Sequence, residues 1–543
     1  MKRKKLFICL TVILTIAMVG TLLAGCGNKS ASSANQTLVY NLGTDSETID
    51  PALNQAVDGA TVVANAFEGL TRIGDDNNVK PGVAEKWEIS PDGTVYTFYL
   101  RKNAKWSDGK PVTAKDFEFA WKRALDPKLA AAYAFFLTDN IKNAEEYYNG
   151  KANWEDVGIK VKDDYTIEVT LKVPTAFFLQ LVAMPIYMPL RQDALEKGGE
   201  QWTQSGETYI GNGPFKMVKW THNDSMEWVK NENYWDAKNV KLSKMTWVMV
   251  TEASSALPSW EKGEIDIIES VPPAEAPRLI QEKKLQIIPE LGTYYLYFNT
   301  KKAPLNDPRV RKALALAINR QSIKDAVLKT GQITAYAQVP FGIKEADGKS
   351  DFREKGGNLF QEDVNLAKQL LAEAGFPDGK GFPEMTYLYN TNESHKKIAE
   401  MIQDMWKNNL GINIKLANQE WKVFQKTRQN GDFDIARGGW IADYVDPMTF
   451  LDMFMSDNAF NDGKYTNAQY DALLKEAKTA TDLAKRDQLM HDAEKIIMDE
   501  MGVCPIYFYV SNMCVQPWIK GVYKTPLATV YFDHAYVDES AKK

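Results

Sequence analysis

Strands alternating with helices along a chain of 543 residues predict an α/β fold in more than one domain, its sheets covered by helices on both faces. Two observations carry this. Apolar residues alternate at period two in runs such as Val95-Tyr-Thr-Phe-Tyr-Leu100, and between such runs they recur at helical spacing, as in Phe117, Ala120, Trp121 and Ala124. No repeat of solenoid period interrupts the pattern.

The elements follow in order. Lys2-Arg-Lys-Lys5 and the apolar run Leu6 to Leu23 read as a signal peptide (1–25). The run is just long enough to span a bilayer, so an uncleaved anchor is the competing reading. Leu23-Ala-Gly-Cys26 resembles a lipoprotein box in which Cys26 is lipidated. Residues 26–37 are small and polar, a tether of roughly 18 Å as a random coil. Strand LVYNLG begins the mature domain at Leu38, and a helix is expected through Val62 to Phe67. Thr113 caps a helix with Asp116 in its first turn. Gly211 and Gly213 break the chain before the strand Phe215 to Trp220. Asp307-Pro308 opens an amphipathic helix with Val310, Leu314, Ala317 and Ile318 on one face. Further helices are expected over Val364 to Ala374, around Lys396 to Trp406 with Ser394 as cap, over Trp421 to Arg428, and over Asp482 to Met498. Strands are expected at Met385 to Tyr389, Ile412 to Leu416 and Pro505 to Val510. Cys504 and Cys514, if on one extended strand, lie about 30 Å apart, beyond disulfide reach, and read as small buried residues.

Composition excludes more than it identifies. Net charge is −6, with 65 basic and 71 acidic residues, so no basic footprint for nucleic acid exists. The four histidines (His222, His395, His491, His534) are scattered, and no metal cluster follows from their spacing. There is no His-Glu-x-x-His and no Gly-x-Ser-x-Gly, and Ser-x-x-Lys recurs at four places, as chance would have it. A secreted lipoprotein hydrolase is thus the weaker alternative, and no catalytic residue or cofactor is expected.

The stretch most suggestive of a site is Phe433-Asp-Ile-Ala-Arg-Gly-Gly-Trp-Ile-Ala-Asp-Tyr-Val-Asp-Pro447. It starts as a buried strand, which Gly438 and Gly439 should interrupt by a bulge or a close backbone approach. Trp440 and Tyr444 bracket the acids Asp443 and Asp446. Two readings stand on these residues alone: a core strand followed by an Asp-Pro turn, or an acid between aromatic walls that holds the cationic end of an extended ligand.

Gln419-Glu-Trp421, Phe433-Asp-Ile-Ala-Arg437 and Gly439-Trp-Ile-Ala-Asp443-Tyr resemble the peptide site of the oligopeptide-binding proteins of ABC importers. Arg101-Lys-Asn-Ala-Lys-Trp-Ser-Asp-Gly-Lys-Pro-Val-Thr-Ala-Lys-Asp-Phe117 resembles that family's most recognisable segment. Further matches run from Gly211-Asn-Gly-Pro-Phe215 through Asn231-Glu-Asn-Tyr-Trp-Asp236 to Leu305-Asn-Asp-Pro-Arg-Val-Arg-Lys-Ala-Leu314.

The resemblance implies a periplasmic-binding-protein-like two-lobe fold: lobe I from 38–67, 192–291 and 511–543, an inserted subdomain 68–191, and a further lobe 292–510. Two parallel extended crossings, at Gly292 to Tyr297 and Tyr509 to Asn512, would form the hinge. It also implies that Asp443 pairs with a peptide's α-amino group and that Gly439 and Ile441 offer main-chain hydrogen bonds. Tyr133, Trp421, Trp440 and Tyr509 would line the site, with Arg428, Arg437 and His395 as cations for the peptide's carboxylate. The competing reading of Arg437 is an ion pair to Asp432 or Asp434. Gln55 stands where known members carry a glutamate, and no lysine is in register near Leu328, although Lys329 is adjacent. The implied protein is a lipid-anchored monomer on the outer face of a cytoplasmic membrane. It would bind oligopeptides for an ABC permease and its ATPase, without metal, with a surface pheromone receptor as the alternative.

Overall fold

The structure is a computed structural model and describes residues 36–542; the signal peptide, Cys9, Cys26 and nearly all of the tether lie outside the described residues. Strands β1 (Thr37–Asn41), β2 (Phe215–Thr221), β3 (Ser225–Lys230), β4 (Lys244–Val248) and β5 (Ile267–Ile268) form one half of an 11-stranded sheet. The other half holds β8 (Met385–Asn390), β9 (Ile414–Gln419) and β10 (Ile435–Ile441). Two long strands, β6 (Leu285–Phe298) and β11 (Val503–Val515), join the halves, and the short β7 (Ile333–Thr334) pairs with β11. The order is β9-β8-β10-β6-β11-β5-β1-β4-β3-β2. A separate four-stranded antiparallel sheet contains Val95–Leu100 and lies within residues 84–170. This is the α/β, two-lobed, periplasmic-binding-protein-like fold.

Local chemistry explains most elements. Asp116 accepts from the Thr113 backbone N–H at 2.7 Å, and the buried face of Ala114–Ala124 is Phe117, Ala120, Trp121 and Ala124, the helical stripe of the sequence. Asp307 caps Pro308–Leu316, whose Val310 and Leu314 are buried, with Ala317 and Ile318 buried just beyond it. Asp482 caps Leu483–Asp499. Cys504 and Cys514 both sit on β11, free and buried.

Four expectations change. The first helix spans Val57–Ala66, starting a turn and a half earlier than its apolar stripe suggested. The cap of helix Glu393–Leu410 is Asn392, whose carboxamide oxygen accepts from the N–H groups of Ser394 and His395; Ser394 lies inside the first turn. The crossings β6 and β11 run antiparallel, as they must when one carries the chain out of a lobe and the other brings it back. Their pairing slips between Pro289 and Thr293 and again between Tyr294 and Tyr295, so the irregularities sit near the junction of the halves.

Finally, β10 is neither bulged nor broken at its glycines: Gly438 pairs opposite Tyr295 and Gly439 opposite Tyr294 in unbroken register. They make room for side chains. A Cβ on Gly438 would meet the Tyr295 ring at 2.2 Å, and one on Gly439 would meet the Tyr509 hydroxyl at 2.4 Å.

Candidate functional site

A cavity of about 390 Å³, within the range of small-ligand sites, lies between the two halves. Gln55, Tyr133, Trp421, Arg428, Arg437, Gly439, Trp440, Ile441, Asp443 and Tyr509 all line it. Residues from five separate parts of the chain thus converge on one space.

One wall is the edge of β10. The Ala442 N–H donates to the Leu291 carbonyl at 2.8 Å. Hydrogen-bonded pairs alternate along an antiparallel ladder, so Trp440 and Gly438, opposite Thr293 and Tyr295, also turn their main-chain groups toward β6. Gly439 and Ile441 therefore turn theirs the other way, into the cavity. On that side β8 pairs with β10 only at Ile435 and Ala436. Two residues' worth of strand edge is left open to a ligand.

Asp443 stands just past the end of that edge. The Tyr133 hydroxyl donates to its Oδ1 at 2.9 Å, and the Asp443 N–H donates to Thr449 Oγ1 at 3.1 Å. Thr449 also accepts from the Trp440 indole at 3.3 Å, which fixes the wall beside the acid. Its exposed surface opens into the cavity. Burial pushes its carboxyl up to about 8; the Tyr133 bond opposes the shift and the Asp452 carboxylate adds to it. Asp446 faces elsewhere. It takes both guanidinium nitrogens of Arg486 at 2.8 Å and accepts from the Met448 N–H, so it anchors a helix as well as the turn.

At the other end of the edge, Arg437 donates to the Tyr509 hydroxyl at 2.6 Å and lies over the Tyr294 ring at 5.0 Å. It has no carboxylate partner among the described residues; Asp434 pairs with Lys302 at 3.0 Å instead. Arg428 is already paired, with Asp462 at 2.6 Å, and so is not free to hold a ligand's carboxylate alone. His395 does not line the cavity. It packs 5.5 Å from Tyr294, and burial, together with the charge of Arg437, pushes its imidazole well below the usual value. It is therefore neutral near pH 7, which corrects its expected part as a cation.

Contacts bridge the cleft. Gln429 Nε2 donates to Gln55 Oε1 at 3.1 Å, the Trp421 indole donates to Asp58 Oδ1 at 3.3 Å, and Lys478 reaches Asp139 at 2.5 Å. Phe177 stacks on Tyr444 at 4.3 Å, and the Val445 N–H donates to Gln180. Nothing along the chain marked Asp58, Gln429, Glu290 or Lys524 as cavity residues. Asp58 reads as an ordinary acid in a helix's first turn, and Lys524 comes from a short hairpin near the carboxyl end.

An open strand edge between an unpaired acid and an unpaired guanidinium, enclosed by two halves of one α/β fold, defines a solute-binding protein. The chain belongs to the family described as bacterial extracellular solute-binding proteins, family 5 Middle, which matches residues 78–462. It is 38% identical to the dipeptide-binding protein DppE of Bacillus subtilis over 95% of this chain and 94% of that one. It is also 38% identical to the oligopeptide-binding protein OppA of Bacillus subtilis, over 99% and 100%. Listeria monocytogenes OppA bound to peptide superposes with a TM-score of 0.88 at 33% identity, over 93% of this chain and 100% of that one. Two structures of murein tripeptide-binding protein MppA, the first from Escherichia coli, divide. One superposes at 0.86 (34% identity, 93% and 99% covered), whereas the unliganded open form reaches only 0.62 (35%, 93% and 98%). Like its relatives the chain is a binding protein, not an enzyme.

Proposed function

We propose that this protein is the lipid-anchored, extracytoplasmic subunit of an ABC importer, monomeric, and that it captures short oligopeptides and hands them to a permease and ATPase. The observation that carries the ligand class is the open edge of β10. An extended peptide adds as a strand to Gly439 and Ile441, its ammonium meeting Asp443 and its carboxylate the Arg437–Tyr509 pair. Main-chain bonding supplies affinity without reading side chains closely. The names of the relatives, dipeptide- and oligopeptide-binding proteins, favour the same class.

The halves correspond to lobe I (38–67, 192–291, 511–543) with its inserted subdomain (68–191), and to the lobe 292–510. The cross-cleft contacts, and the better match to one MppA structure than to the open form, support closure about β6 and β11. Lipidation rests on Cys26 and its preceding small residues, since one acyl chain alone would anchor weakly and a lipoprotein carries more.

Calorimetric titration with mixed tri- to pentapeptides tests the reading. Many binders are expected. A single sequence binding would favour a pheromone receptor, and stabilisation by sugar or metal alone would end the peptide reading. Mass spectrometry of membrane-extracted protein should find Cys26 amino-terminal and acylated; an intact Met1 would refute the anchor.

A further inference from the structure

The charges of the cavity do not balance. Arg428 is answered by Asp462, and Lys524 is answered twice, by Glu269 at 2.6 Å and Glu290 at 3.8 Å. Among the described residues Arg437, Asp443 and Asp58 have no opposite charge within ion-pair distance. A zwitterionic peptide brings one carboxylate and one ammonium, which match the first two. Asp58 is left over.

An acid in the first turn of helix Val57–Ala66 is ordinarily explained by the helix dipole. Asp58 does more than that. Its Oδ1 accepts from the Trp421 indole of the opposite half, so the carboxylate points across the cleft. Among the described residues its Oδ2 is buried and makes no hydrogen bond of ordinary length, although the Ser46 hydroxyl lies close enough to favour the carboxylate. The groups around it are the Ser46 hydroxyl, the Glu47 carboxylate and the indole, none of them cationic, and burial pushes its carboxyl up. Behind it lies an adjoining cavity of about 170 Å³, which shares Val57, Asp58 and Ala528 with the main one and carries a second acid, Glu269. An acid beside an indole, with room beyond for a long side chain, is suited to a lysine or arginine, which gains an ion pair and an aromatic contact together.

We propose that Asp58 and Trp421 form a side-chain subsite for a basic residue, so that the protein favours peptides carrying one lysine or arginine. The preference rests on the peptide reading above. It is tested by calorimetry on the full-length, detergent-extracted protein with trialanine and with tripeptides bearing lysine, norleucine or ε-acetyl-lysine at each position in turn. At one position lysine should bind roughly ten- to a hundredfold tighter than either neutral analogue, the range of one charge-assisted hydrogen bond. In Asp58→Asn that ratio should fall to about one. Lysine no better than norleucine at every position, or a ratio unchanged in the variant, would overturn the subsite while trialanine binding left the peptide reading standing. Failure of every peptide, trialanine included, would bring down the peptide reading and this preference with it.

Discussion

Asp443→Asn isolates the anchor of the proposed site. Asparagine keeps an oxygen for the Tyr133 hydroxyl, which donates to Asp443 Oδ1 at 2.9 Å, so the fold should survive. Removing one partner of a buried, hydrogen-bonded charge pair costs about 2–5 kcal/mol. The structure reduces that figure. With a carboxyl pushed up to about 8, Asp443 is mostly protonated at pH 7 in the empty site and must lose its proton to receive an ammonium. One unit of pKa corresponds to about 1.4 kcal/mol, so the net loss at pH 7 should be about 0.6–3.6 kcal/mol, or roughly three- to several-hundred-fold in Kd.

The same linkage gives a sharper signature. Each peptide bound below pH 8 should displace a proton from Asp443, so wild-type affinity should rise nearly tenfold per unit between about pH 5.5 and 7. It should level near pH 8, where the peptide's own amine begins to deprotonate at about 7.7–8.0. Asp443→Asn should be nearly flat over this range. Calorimetry in buffers of different ionisation enthalpy reads both the affinity and the proton released. Acetylating the peptide's amino terminus should weaken the wild type and add little in the variant, because both changes delete one interaction. A wild-type affinity independent of pH, or acetylated peptides that bind normally, would refute Asp443 as the anchor.

Three other outcomes are expected. Gly439→Ala pushes a methyl against the Tyr509 hydroxyl and Arg437 Nη2, and should weaken peptide binding; Gly438→Ala meets the Tyr295 ring and should chiefly destabilise the fold, by about 1–3 kcal/mol or more, in denaturant unfolding. Asp446→Asn breaks the two-pronged contact with Arg486 and should lower stability by about 1–3 kcal/mol while leaving peptide affinity little changed; a larger effect on binding than that of Asp443→Asn would reverse the assignment. Saturating peptide should lower the radius of gyration in small-angle scattering, and Lys478→Ala, which removes the contact to Asp139, should enlarge the ligand-free form; identical curves would argue against closure.

The local elements were legible in the sequence because their causes are local. Phe117, Ala120, Trp121 and Ala124 repeat at helical spacing, Asp307-Pro308 starts a helix, and Pro505 to Val510 is an apolar and aromatic run that reads as a strand; all three are found. The stretch from Gly438 to Tyr444 was legible as a candidate site for a related reason: glycines, aromatics and an acid fall within seven residues of one strand and its end. What that stretch does with its glycines was not legible, since the atoms that need the space belong to Tyr295 and Tyr509, far away in sequence. The state of each charge was equally hidden. Asp443, Arg428, Arg437 and His395 look alike as chargeable residues on paper, yet packing pairs Arg428 with Asp462, leaves Arg437 with hydroxyl and ring partners and no carboxylate among the described residues, keeps His395 neutral and pushes Asp443 toward the protonated form. Periodicity and capping act within a few residues of chain and so are written in order along it. Desolvation and pairing depend on which distant atoms exclude water from a group, and only the tertiary structure decides that.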